Sequence, residues 1–265
     1  MWKASVLTLY PELFPGPLDG SVIGRSRAKT GVNGEPEGDA PSDAPSNGSP
    51  QAGAAWSLET IPLRSFSDNR YGSIDDTPSG GGAGLVMRAD ILAKAIDSLT
   101  PSERPIIYLS PRGRPFDQAY ARELADGPGV SLLCGRFEGV DARLLQARPI
   151  IEVSIGDFVL AGGEIAAMAM IEACVRLLPG VLGSACSLGE ESFEDNLLEY
   201  PQFTRPQEFE GLTIPSVLTS GNHKKITDWR RQQAEEITRT RRPDLWERYV
   251  KNGPIRRIKT KERDQ

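Results

Sequence analysis

Histidine is almost missing from this chain: His223 is the only one in 265 residues. An imidazole-based triad therefore has one candidate. It opens a basic stretch, where a structural or RNA-contacting role fits better. Cysteine is scarce too. Cys134, Cys174 and Cys186 show no CxxC spacing, which argues against a disulfide framework or a zinc site and fits a reducing cytoplasm. No cluster of His, Cys and carboxylates marks another metal site. No apolar stretch approaches the ~20 residues that a membrane helix needs, and residues 1–7 read as a strand rather than a signal peptide. GxxxxGK[ST] is absent, which removes the P-loop NTPases. The run Gly80-Gly81-Gly82-Ala83-Gly84 does not match GxGxxG and follows no strand-like run directly. A nicotinamide oxidoreductase on a dinucleotide-binding fold is thus poorly supported.

What is present is an ordinary globular composition, with 38% hydrophobic and 25% charged residues. The length suits one large domain or two modest ones. The net charge of -5 hides an asymmetry: residues 221–265 carry 14 Lys+Arg against 7 Asp+Glu, so the remainder carries -12. A basic end on an acidic body is the footprint of a nucleic-acid contact, although a solvated helix face gives the same count. Residues 30–55 hold four Pro, five Gly and four acidic residues, with no basic residue and Val32 as the only large aliphatic. Such a stretch cannot bury enough apolar surface to offset its chain entropy. It reads as a disordered insert, dispensable for folding.

Periodicity places strands at 3–9, 56–63, 105–109, 130–134 and 150–155. Helices are expected at 91–99, 116–126 and 163–178, the first stopped by Pro101 and the last by Pro179-Gly180. This alternation implies an α/β fold with a mostly parallel sheet. Near the end, Asn222 can cap a helix running to about Arg242, where Pro243 blocks continuation. Ile226, Trp229 and Ile237 share one face, with Lys224, Lys225, Arg230 and Arg231 around it. Residues 205–218 are polar and Pro-interrupted, as in a linker.

Three loops follow three of the strands: Ser110-Pro111-Arg112-Gly113-Arg114, Gly135-Arg136-Phe137-Glu138-Gly139, and Gly156-Asp157-Phe158 leading to Gly162-Gly163-Glu164. In open α/β sheets, ligands sit outside the carboxyl ends of strands. Glycines there let main-chain N–H and C=O groups approach a ligand closely. Each loop alone is explained as well by simple turn chemistry. The acidic run Glu190-Glu191-Ser192-Phe193-Glu194-Asp195 fits a solvated loop on composition. A carboxylate in it could act as a general base once a substrate excludes water.

Taken together, these segments resemble the bacterial tRNA (guanine-N1) methyltransferases of the TrmD type, in the SPOUT superfamily. The matching stretches are Leu9-Tyr10-Pro11-Glu12-Leu13-Phe14, Asp75-Asp76 with Gly80-Gly81-Gly82-Ala83-Gly84, and Tyr108-Leu109-Ser110-Pro111. Next come Cys134-Gly135-Arg136-Phe137-Glu138-Gly139, Ser154-Ile155-Gly156-Asp157-Phe158-Val159-Leu160, and Gly162-Gly163-Glu164. Pro179-Gly180-Val181-Leu182-Gly183, Thr204-Arg205-Pro206 and Leu218-Thr219-Ser220-Gly221-Asn222-His223 complete the series. Any one is weak; the ordered series, from residue 1 to about 245, is highly specific.

The resemblance implies a deep trefoil knot in an α/β domain at 1–185, a linker and active-site loop at 186–215, and a helical tRNA-binding domain at 216–265. It implies S-adenosylmethionine as cofactor, held in bent form by Tyr108, Leu109, Ser110, Pro111, Gly135, Glu138, Ser154, Ile155, Gly156, Phe158, Leu160, Gly162 and Gly163. It assigns catalysis to Arg176 and Glu191. For tRNA, the expected contacts are Asp75, Gly84, Ser187, Arg205, His223, Lys224, Lys225, Arg230 and Arg231. A cytoplasmic homodimer with no membrane association is implied, with the target base held between the knot of one subunit and the C-terminal domain of the other. Magnesium is also implied, although no ligand spacing for it is visible. The reaction is methyl transfer to N1 of guanosine at tRNA position 37.

There are departures. The family's catalytic aspartate is Glu191 here, one methylene longer. Phe137 and Phe158 stand where tyrosine is usual, Ala166 replaces a proline, and Gln202-Phe203 replaces a His-Tyr pair. The 30–55 insert has no family counterpart. The rival readings are another SPOUT-type RNA methyltransferase with a different target base, or a catalytically weak tRNA-binding relative.

Overall fold

A computed structural model describes residues 1–28, 54–99, 103–182 and 191–253. The chain divides into two compact units, Met1–Gly183 and Ser184–Gln265.

In chain order the first unit contains β1 (Trp2–Thr8), α1 (Ser21–Arg25), β2 (Trp56–Pro62), β3 (Asp75–Asp76), β4 (Val86–Met87), α2 (Ala89–Asp97), β5 (Ile106–Pro115), α3 (Gln118–Asp126), β6 (Gly129–Cys134), α4 (Ala142–Ala147), β7 (Ile150–Ser154) and α5 (Glu164–Val175). Five strands form one sheet in the order β2-β1-β6-β5-β7, and every pair is parallel. A parallel sheet needs cover on both faces. Alternation along the strands supplies it. Ala4, Val6, Ile107, Leu109, Val130 and Leu132 point to one side, where α3 and α5 pack with Tyr120, Leu124, Met170 and Ile171. Leu7, Tyr108 and Leu133 point to the other, against Ile91, Leu92 and Ile96 of α2 and Leu144 of α4. The central strand β6 is buried throughout, which explains why its sequence reads as a continuous apolar run.

Several details depart from the sequence reading, among them α5, which ends at Val175 rather than 178. β5 does not stop at Leu109: its pairing with β7 resumes at Arg114 after a register shift. Residues 110–113 are therefore a detour within a strand, as at a β-bulge. Gly113 permits it, because a Cβ there would lie 2.2 Å from the backbone nitrogen of Val153. The helix expected from 116 starts at Gln118, because Asp117 caps it by accepting from the Tyr120 N–H at 2.9 Å and Phe116 still bonds Ser154 of β7. The run 80–84 lies between the antiparallel pair β3 and β4, strands too short for a period to show. Ala55 belongs to the fold, since its N–H and C=O bond Ser26 and Trp2; residues 30–53 of the expected insert lie outside the described residues.

The second unit contains β8 (Glu208–Phe209), β9 (Leu212–Thr213), α6 (His223–Arg241) and α7 (Pro243–Asn252). Part of the polar stretch read as a linker is thus an antiparallel hairpin. Asn222 caps α6, its side chain accepting from the Lys225 N–H at 3.1 Å. Pro243 ends α6 but also opens α7, because proline fits a first helical position whose N–H needs no partner. Ala234 and Thr238 of α6, with Leu245 and Tyr249 of α7, are the buried residues of this helix pair. Leu198 joins α6 by donating its N–H to Thr238 Oγ1 at 2.8 Å.

Candidate cofactor cavity and its surroundings

At the carboxyl edge of the sheet, three segments enclose a cavity of about 360 Å³. The first is the β5 detour, the second follows β6, and the third runs from the end of β7 to α5. Every residue that the resemblance assigned to the cofactor lines this one cavity: Tyr108, Leu109, Ser110, Pro111, Gly135, Glu138, Ser154, Ile155, Gly156, Phe158, Leu160, Gly162 and Gly163. Arg112, Arg136, Phe137, Gly139, Val153, Val159, Ala161 and Ala166 also line it. Their signal was available for Arg112 and Arg136, which lie inside the Gly-bearing loops. Ala166 was marked as replacing a proline of the family, whereas for Val153 there was no signal, because its placement depends on the sheet register.

Glycine is required at the contacts between segments. A Cβ at Gly163 would lie 2.8 Å from Cys134 Cα and 3.1 Å from the Gly135 nitrogen. The Gly163 N–H instead donates to Gly135 O at 3.0 Å, tying the third segment to the second. A Cβ at Gly135 would lie 2.7 Å from the ring of Tyr108, which is buried. Burial raises the pKa of the Tyr108 hydroxyl, with Arg112 opposing, so the group stays neutral at physiological pH. Behind the cavity, burial pushes the Cys134 thiol well above its ordinary range, aided by Glu164. That thiol is therefore protonated and unsuited to nucleophilic attack.

The glycine-rich turn reaches the cavity as well. Glu138 donates its N–H to Leu85 O at 2.9 Å, and Met87 donates to Gly139 O at 2.9 Å. Gly84, at φ +86°, stands so close to Glu138 that a Cβ would lie 2.4 Å from its Oε1. Asp75 starts β3 opposite Met87. Arg176 caps the end of α5 and is half-buried. Glu191 is half-buried in the second unit, and Ser187 lies outside the described residues. Arg205, His223, Lys224 and Lys225 are exposed. Two cations expected to face tRNA hold intramolecular contacts. Arg231 bonds Glu235 at 2.9 Å and the Tyr249 hydroxyl at 2.9 Å. Arg230 lies over the Tyr200 ring, 4.8 Å from its centroid.

The lining combines main-chain groups with apolar side chains. Phe158 and Val159 of the lining are more than half exposed, and Phe137 and Leu160 less so; Ile165, outside the lining, is exposed as well. Such an arrangement suits a ligand with a flat apolar part and polar ends. No described helix is long and apolar enough to cross a membrane.

The sequence is similar to that of known proteins. The family model for tRNA (guanine-1)-methyltransferase TrmD matches residues 48–248. A tRNA (guanine-N(1)-)-methyltransferase of Mesorhizobium japonicum is 57% identical over 246 residues, 92% of this chain and 96% of that protein. One from Chelativorans sp. is 54% identical over 250 residues, covering 94% and 96%. One from Rhodospirillum rubrum is 52% identical over 248 residues, covering 94% of each.

Proposed function

The chain belongs to the TrmD family of tRNA (guanine-1)-methyltransferases, and from that premise we propose that it methylates N1 of the guanosine at tRNA position 37, in the cytoplasm. The observation that carries the reading is the convergence of all the assigned cofactor residues on one glycine-built cavity. Its size falls within the range of small-molecule sites, and its main-chain-rich walls fit S-adenosylmethionine, which supplies a methyl group already activated on sulfonium. No covalent enzyme intermediate is then required.

N1 of guanine carries a proton and is a poor nucleophile. The Glu191 carboxylate takes that proton, and the charge left on N1 and O6 is stabilised by Arg176. The cavity walls orient the donor and exclude water. We further propose that the first unit carries the SPOUT knot and that the enzyme is a homodimer. The exposed apolar side chains Phe137, Phe158, Val159 and Ile165 support an interface beside the cavity. Among the described residues no three His, Cys, Asp or Glu side chains gather to hold a metal. The magnesium implied by the resemblance therefore has no such cage among these residues.

Base identity tests the reading. Labelled S-adenosylmethionine is supplied with two tRNA transcripts that differ only in guanosine or adenosine at position 37. Adenine offers no N1 proton to remove, so label should enter the first transcript and not the second. Comparable labelling of both, or label mapped to another position, would overturn it.

The helical unit should bind phosphate. Affinity for tRNA is expected to fall steeply with salt, with a log–log slope of roughly -0.7 to -0.9 per neutralised phosphate. Replacing exposed Lys224 and Lys225 with glutamine should flatten that slope while leaving cofactor binding and thermal stability in place. Neutralising Arg230 and Arg231 should flatten it further but also lower stability, because both have intramolecular partners. An unchanged slope in the lysine variant would move the RNA contact elsewhere.

A further inference from the structure

Among the described residues, cofactor contacts and base chemistry leave one buried charge without a task. Glu164, the first residue of α5, is 1% exposed. Its Oε1 accepts the Thr8 hydroxyl of β1 at 2.8 Å. Its Oε2 lies 2.8 Å from Arg136 Nη2, off the hydrogen-bond direction, so the attraction there is ionic. Buried ion pairs contribute little net stability compared with apolar packing, and a purely structural role is therefore a weak account of this one.

Arg136 shows what the pair does. Its guanidinium lies over the Tyr10 ring, 4.4 Å from the centroid, and Nη1 reaches the Ala161 carbonyl at 3.4 Å. Its backbone bridges Gly162. Glycine at 162 is needed for this arrangement, since a Cβ would fall 2.2 Å from Arg136 Nε. One side chain thus spans two of the three cavity segments. Glu164 fixes its direction, and Thr8 fixes Glu164 to the sheet.

We infer that Glu164 is a positioning residue for cofactor binding, acting through Arg136 to hold the second and third segments in register. This rests on the cofactor reading of the cavity. Glu164 itself does not line the cavity, so its effect passes through its partner.

The test is a double-mutant cycle read by calorimetric titration with S-adenosylmethionine. Glu164→Gln keeps the shape and an acceptor for Thr8 but removes the charge. It should weaken binding about tenfold or more, with kcat at saturating cofactor changed less than about twofold. Arg136→Met should cost about as much, and the double variant no more than the worse single one. Additive losses, or wild-type affinity in Glu164→Gln, would overturn the inference. If Glu164→Gln does not fold, Glu164→Asp takes its place in the cycle with the same non-additivity expected. Wild-type protein that fails to bind S-adenosylmethionine would instead overturn the cofactor reading.

Discussion

Glu191→Gln should lower the single-turnover methylation rate by about 100- to 10,000-fold, the usual contribution of general base catalysis, with cofactor affinity little changed. Three features motivate the assignment. The resemblance implies the family's catalytic aspartate at this position, the residue falls in an acidic stretch, and the single histidine opens a basic helix instead. Glutamine preserves shape and hydrogen bonding but cannot take the N1 proton at neutral pH. Glu191→Asp restores the family residue and should keep substantial activity, less whatever the backbone loses by being set for the longer side chain. Glu190→Gln is the control, since a shift of one position is the natural alignment error in this acidic run. Full activity in Glu191→Gln together with a dead Glu190→Gln would transfer the role to Glu190.

Gly163→Val should abolish measurable cofactor binding, with affinity falling by at least about 100-fold. The reason is local and steric. At 2.8 Å from Cys134 Cα and 3.1 Å from the Gly135 nitrogen, a Cβ would meet backbone rather than a movable side-chain end. Relief requires the third segment to lift off the second, breaking the Gly163–Gly135 hydrogen bond and widening the cavity between them. Gly163→Ala carries the first of these atoms only and should show a smaller loss of the same kind. Calorimetric titration measures the affinity, and circular dichroism checks that the α/β body persists. A folded valine variant that binds like the wild type would show that the cofactor does not depend on this contact.

Much of the candidate site was legible because its parts are local. Ser110-Pro111, Gly135 and Gly156 each stand just past an apolar run, and ligand groups at the carboxyl ends of strands need no long-range information to be suspected. Other parts were not legible. Strands β3 and β4 are two residues each, so no periodicity could expose the hairpin that brings Gly84 against Glu138. Pro243 was readable as a stop, but α7 behind it became visible only with the packing of Leu245 and Tyr249. The basic helix was readable as a charge cluster, yet Arg231, besides its i,i+4 pair with Glu235, is held by Tyr249 of α7, and that contact depends on how two helices meet.

The sequence by itself determined the alternation of strands and helices, the capped basic helix at the end, and the Gly-bearing loops that follow the strands. These follow from periodicity, capping and backbone freedom, all of which act over a few residues. Only the tertiary structure decided the strand order β2-β1-β6-β5-β7, because side-chain alternation says which face is buried but not which neighbour pairs. It also decided that Thr8, Arg136 and Glu164 meet at one point. Those residues are distant along the chain and share no local pattern; the parallel sheet and the packing of α5 against it bring them together, where burial makes a charge depend on its partner.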